Sequence, residues 1–148
     1  MKSWQIKLAI GNCESQIKSN RSSIRKAEKN YESLTSFRSN VSSYQADFAT
    51  GNTGKSQALD AVFAISSDCD AAARYYRGMK GLVDRNGAKI VNILLEGLLR
   101  TTRKSMQDNL DEISDLEDKN QRLQQEIDRL QKELKIAEMN EAFAEANE

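Results

Sequence analysis

The chain has 148 residues, no proline, no histidine and a formal net charge of zero. Its composition is 30% charged, 39% hydrophobic and 6% aromatic, which favours helices with narrow apolar stripes over a thick globular core. Without proline very long uninterrupted helices are permitted, and without histidine the commonest general base and metal ligand is missing.

The length suits one ordinary domain. Charge is unevenly spread: residues 1–50 carry eight Lys/Arg against four Asp/Glu, and residues 51–100 seven against five. Residues 101–148 carry seven against thirteen. The small, scattered basic excess argues against a nucleic-acid partner. An acidic C-terminal third suits a mildly basic surface, in cis or in trans.

Met1-Lys2-Ser3-Trp4 leads straight into an amphipathic pattern, so no secretory signal peptide is expected. The first helix is expected over residues 4–49. Ile10, Cys13, Ile17, Asn20, Ile24, Ala27, Tyr31, Leu34, Val41 and Phe48 recur at three-four spacing, the pattern of heptad a and d positions. Gly51, Asn52, Thr53 and Gly54 then read as a turn over residues 50–55. The second helix follows over 56–100 through Leu59, Val62, Ile65, Cys69, Ala72, Tyr76, Met79, Val83, Ile90 and Leu94. Asn86-Gly87 lies in this pattern, and the sequence is compatible with a kink there or with a helix running through. The stretch Ile90–Leu99 is too short and too polar to span a bilayer.

The last segment is the most regular. Ile113, Leu116, Asn120, Leu123, Ile127, Leu130 and Leu134 keep strict a/d spacing amid charged and amide residues, which reads as a coiled-coil seam and a partner interface. A coiled-coil extension over 101–140 and a frayed tail over 141–148 complete the expected single domain. The fold class is all-α: an elongated antiparallel hairpin with a long C-terminal coiled-coil helix.

Two registers are open. Folding at Thr53 faces residues equidistant from it, such as Val41 with Ile65 and Ile17 with Ile90, and sets Asn20 opposite Asn86. It leaves residues after Thr101 as an unpaired overhang, and puts Cys13 and Cys69 roughly 37 Å apart, too far for a disulfide. The alternative folds a third helix back on the first, pairing Ile17 with Leu123, Ile24 with Leu116 and Asn20 with Asn120.

Residues 49–56 also come close to a phosphate-binding P-loop, with Ala49 in place of the first glycine and Lys55-Ser56 at the end. Such a loop needs a buried strand before it and a helix after it, so that free backbone N–H groups point at phosphate. Tyr44–Phe48 instead belongs to a helical stripe, which leaves nucleotide binding a remote alternative. Asp60, Asp68 and Asp70 suggest a metal site only weakly. Arg74, Arg77 and Lys80 with Tyr75 and Tyr76 suit structural or partner contacts better than phosphate. No catalytic, cofactor-binding or metal-ligating residues are assigned, and the protein is expected not to be an enzyme.

The plan of helix, glycine-containing turn and helix resembles that of WXG-type type VII secretion proteins. Asn52-Thr53-Gly54-Lys55-Ser56-Gln57-Ala58-Leu59 with Phe63 looks like a degenerate form of their turn, with Asn52 where Trp would stand. The Met1–Ile10 start and the long heptad tail look more specifically like the YwqH-like group, small helical proteins encoded beside LXG toxins in Gram-positive bacteria. The resemblance implies a helper that binds the toxin's N-terminal helical domain, often beside a second small helical protein, in the cytoplasm before export. The family's export signal has an aromatic followed four residues later by an acid. Phe143 with Asn147 comes nearest, with Asn in the acidic place. The other readings are a generic coiled-coil adaptor and a homo-oligomer.

Overall fold

The computed structural model describes residues 2–66, 70–81, 83 and 87–146. Its helices are α1 (Ser3–Ser66), α2 (Asp70–Gly81) and α3 (Gly87–Glu145), and α1 and α3 pack antiparallel as a helical hairpin. The all-α reading therefore holds. The contacts divide the chain into two compact units, one of residues 1–32 with 107–148, the other of residues 33–106.

The expected turn at Gly51, Asn52, Thr53 and Gly54 is corrected: all four lie inside α1. No glycine there or elsewhere among the described residues has positive φ, and the Thr53 hydroxyl donates to the Ala49 carbonyl one turn back, at 3.0 Å. Magnitudes explain the outcome. Gly51 and Gly54 cost the helix roughly 1 kcal/mol each relative to Ala. A turn there would leave the α3 stripe without its α1 partner, forgoing on the order of 1.5–3 kcal/mol for each large side chain fully buried. The longer helix wins.

With the turn goes the Thr53-centred register. In the first unit Asn20 Nδ2 donates to Asn120 Oδ1 at 2.9 Å, and Ile17 shares a groove with Ile127. Residues after Thr101 fold back on α1, as in the alternative register, and do not overhang it. Ile6, Ile17 and Ala27 of α1 and Ile127 and Leu130 of α3 form the buried core of this unit. Cys13 is half-buried and unbonded; the expectations for Val62, Ile65, Cys69, Ala72 and Asn86 concern side chains outside those described.

The second unit is built on α1 from Ser33, α2 and the start of α3. Its core comprises Val41, Leu59, Val83, Leu99, Thr102 and Met106. The buried Thr102 hydroxyl donates to the Leu98 carbonyl at 2.8 Å, so its burial leaves no polar atom unsatisfied. Gly87 opens α3, two residues of which are corrected. Ile90 and Leu94 are exposed, while Ala88, Asn92, Leu95 and Leu99 take the inward face.

A substitution separates a glycine turn from glycines in a helix. An added Cβ at Gly51 or Gly54 meets nothing within 4 Å. Replacing both by Ala should therefore raise unfolding stability by about 1–2 kcal/mol, read from urea denaturation followed by circular dichroism. A loss of stability would put the turn back at Thr53.

Candidate partner-binding surfaces

In the first unit, the expected interface residues lie on the seam and are already engaged. Ile127 and Leu130 are only 3% and 4% exposed. Ile113, Leu116, Asn120, Leu123 and Leu134 are half-buried. The stripe is thus filled from within the chain, and another helix could add only to its half-exposed flanks. Phe143 stands exposed on the last turns of α3; Asn147 lies outside the described residues.

The tail expected to fray is helical to Glu145, and Glu141 explains why. Its Oε1 accepts the Ser3 backbone N–H at 3.0 Å and its Oε2 the Ser3 hydroxyl at 2.7 Å. The first N–H groups of a helix lack partners within it, and a carboxylate suits that positive end. Glu141 therefore caps α1 from α3. The Ser3 backbone N–H, then its hydroxyl, with Lys2 and Lys7 nearby, holds the Glu141 carboxyl below the ordinary glutamate range. One turn on, Lys7 Nζ lies 2.8 Å from Glu138 Oε1, which raises the lysine's pKa by hydrogen bonding and then by charge. Both groups are exposed, so the pairs fix the helix ends more than they add stability. Within α3, Arg129 bonds Glu126 and Glu133, and the hydrogen bond from Arg129 lowers the Glu126 pKa.

In the second unit, Asn52 takes a role that its residue type concealed. It sits half-buried on the α1 stripe, and its Nδ2 donates to the Val83 carbonyl at 3.1 Å. Val83 lies beyond the end of α2, so the amide ties α1 to the segment that follows α2. On the same unit Asp60 is taken up by Lys80, at 3.1 Å, with the Tyr76 hydroxyl at 3.5 Å. Lys80 also lies 5.9 Å from the Tyr76 ring centroid, so one acid and one base of the suggested clusters pair with each other. Among the described residues no group of acids and cysteines could hold a metal.

The P-loop pattern has no loop. Gly51–Ser56 is helical, so its backbone N–H groups are committed to carbonyls one turn back and none is free for phosphate. The Ser56 hydroxyl accepts from Lys80 at 3.1 Å.

The second unit leaves apolar side chains uncovered. Ile90, Ile93, Leu94 and Leu98 recur at helical spacing on α3 with exposures reaching 57% at Ile90 and 66% at Leu94. They stand opposite the inward Ala88–Asn92–Leu95–Leu99 row, so this part of α3 is apolar on two faces. On α1, Phe37 and Tyr44 are also exposed. They are fourteen and seven residues before Gly51 and share its heptad position with Ala58, which lines a cavity of about 360 Å³ with Leu59, Tyr75 and Met79. No helix of the described residues is long and apolar enough to cross a membrane.

Comparison with known proteins finds no matching family model, curated protein or solved structure.

Two measurements check these assignments. The Glu141 pKa is depressed in the folded state, so its contribution to the cap is present above the ordinary glutamate range and is lost as pH falls through the folded value. Carbon-13 NMR titration should place its midpoint below that range, whereas a midpoint at or above it would sink the cap. For the helical Gly51–Ser56, millimolar ATP or GTP should shift the melting temperature of neither the wild type nor Lys55→Ala. A shift specific to the wild type would revive the nucleotide site.

Proposed function

We propose that this chain is a non-enzymatic helical partner-binding protein, an accessory or targeting factor that binds the N-terminal helical domain of an LXG-type toxin for type VII secretion. The single observation that carries partner binding is the apolar face Ile90–Ile93–Leu94–Leu98. Apolar rows at helical spacing on a second face of a helix are expected to be covered, and contiguous exposed apolar surface marks interaction sites. An amphipathic helix laid along this face supplies the cover through apolar side chains spaced three and four apart. The narrower identification, a toxin and its export, is supported by the YwqH-like plan of the sequence. The protein acts in the bacterial cytoplasm before export, and Phe143 with Asn147 serves as the degenerate export signal.

The interface is thereby placed on the outer face of α3 near its start, with the flanks of the Ile113–Leu134 seam open to a second small helical protein. Asp substitutions on the outer face leave the seam intact, so they test binding without dismantling the fold.

Co-expression with the helical domain of an LXG toxin encoded beside this chain should give a complex that co-purifies. Ile90→Asp with Leu94→Asp should weaken it at least tenfold, since each side chain is worth on the order of 1.5–3 kcal/mol when fully buried. Helicity by circular dichroism should be unchanged. Failure of the wild type to co-purify would overturn the toxin reading, and full binding by the folded double variant would remove the interface from this face.

A further inference from the structure

The contact between α1 and α2 is tied by polar groups along one edge and left open along the other. The two helices run antiparallel: Asn52 meets Val83, Ser56 meets Lys80 and Asp60 meets Tyr76. Tyr76 and Lys80, four residues apart, form the edge bonded to Ser56 and Asp60. Tyr75, Met79 and Val83 keep the same spacing on the other edge. With Lys55, Ala58 and Leu59 of α1 they line the cavity of about 360 Å³.

One small residue explains the space. Ala58 stands fourteen residues after Tyr44 and twenty-one after Phe37, at the heptad position that both aromatics hold. A ring at Ala58 would occupy the room that a methyl group leaves open. The floor is apolar: Leu59 and Val83 are only 6% and 8% exposed, with the half-buried Met79 beside them. In the antiparallel register Lys55 is level with the end of α2. Tyr75 lies six residues further along α1 from that level, roughly 9 Å at the helical rise. The cavity thus has a cation at one end, an aromatic ring at the other and hydrocarbon between. No carboxylate lines it, and among the described residues Lys55 makes no ion pair.

We propose that this cavity binds a single-chain aliphatic carboxylate, a free medium-chain fatty acid. Its carboxylate pairs with the Lys55 ammonium, and its chain lies over Ala58, Leu59 and Met79 toward the Tyr75 ring. Small-molecule sites are mostly apolar pockets with a few placed polar groups, and this cavity has that form. Its volume sets the length of the chain: 360 Å³ holds roughly twelve groups of about 30 Å³, the share of one water in the liquid. Decanoate has that many heavy atoms, whereas a two-chain lipid exceeds the space. The site goes beyond the toxin reading and is independent of it, because no residue of the Ile90–Leu98 row lines the cavity.

Sodium decanoate, titrated below its micelle-forming concentration into the methyl-labelled full chain, should shift the Ala58, Leu59 and Met79 methyl resonances and reach saturation. Affinity should rise from hexanoate to decanoate, by up to about fourfold for each methylene buried, and level off for longer chains. Lys55→Ala should weaken decanoate about fivefold, the upper range for an exposed ion pair, and leave the binding of decanol unchanged. Ala58→Phe, at an exposed position, should stay helical by circular dichroism and lose decanoate binding. Ile90→Asp with Leu94→Asp should bind decanoate as the wild type does. Absence of methyl shifts at millimolar decanoate would overturn the proposal, as would full binding by folded Ala58→Phe. Equal decanoate affinity in the wild type and Lys55→Ala would also count against it. A response to phosphatidylglycerol vesicles without one to monomeric decanoate would replace the fatty acid by a membrane surface.

Discussion

The fold of the first unit depends on one hydrogen bond, between the side-chain amides of Asn20 and Asn120. The apolar residues around them are nearly interchangeable. Ile and Leu recur every three or four positions on both helices, and a slip by seven residues would pair another Ile with another Leu at little cost. The amides admit no such slip, because displacement sets each against hydrocarbon, and an unsatisfied polar group costs about 1–3 kcal/mol when buried. A polar residue at an a position trades some stability for one register. Once that register is set, Ser3 arrives at Glu141 and Lys7 at Glu138. The cap on α1 is therefore a consequence of a bond made more than a dozen residues away on the same helix.

Much of this was legible in the sequence. The all-α class follows from the absence of proline and the three-four spacing, and the Asn20–Asn120 pairing was one of two registers that the stripes allow. At residues 51–54 residue identity suggests a turn, and the phase of the stripe carries the helix through it. Val41, Gln45, Phe48, Asn52 and Leu59 keep the α1 stripe in step through Gly51 and Gly54, the same continuity that allowed a helix to run through Asn86-Gly87. Glycine permits a turn without requiring one.

The start of α3 shows a different limit. Ile90, Ile93, Leu94 and Leu98 form one helical stripe, and Ala88, Asn92, Leu95 and Leu99 form another on the opposite side. Local spacing cannot choose between them, and the first has the larger side chains. The second wins because it continues in phase through Thr102 and Met106 to Asn109 and Ile113, so that one face of α3 is used from end to end. The choice sends the more hydrophobic stripe into water. Ile90 and Leu94 carry the spacing and chemistry of core residues, which are the same whether the cover comes from this chain or another.

The two units thus leave different forces unspent. On the first unit's groove flank the uncovered residues are mostly charges and amides, whose attraction reaches beyond contact and weakens with salt. On the outer face of α3 in the second they are aliphatic, and aliphatic attraction requires close packing, scales with area and is strengthened by excluded salts such as sulfate. A partner of either face is recognised by the opposite response to ionic conditions. The division also follows from composition along the chain, since Lys18, Arg21 and Arg25 lie in the basic first third and Glu117 in the acidic last, while Ile90–Leu98 falls between. The antiparallel packing of α1 and α3 brings the two charged thirds onto one unit and leaves the apolar stretch of α3 on the other. That α1 runs through Thr53 and does not turn there is what separates a polar surface from an apolar one.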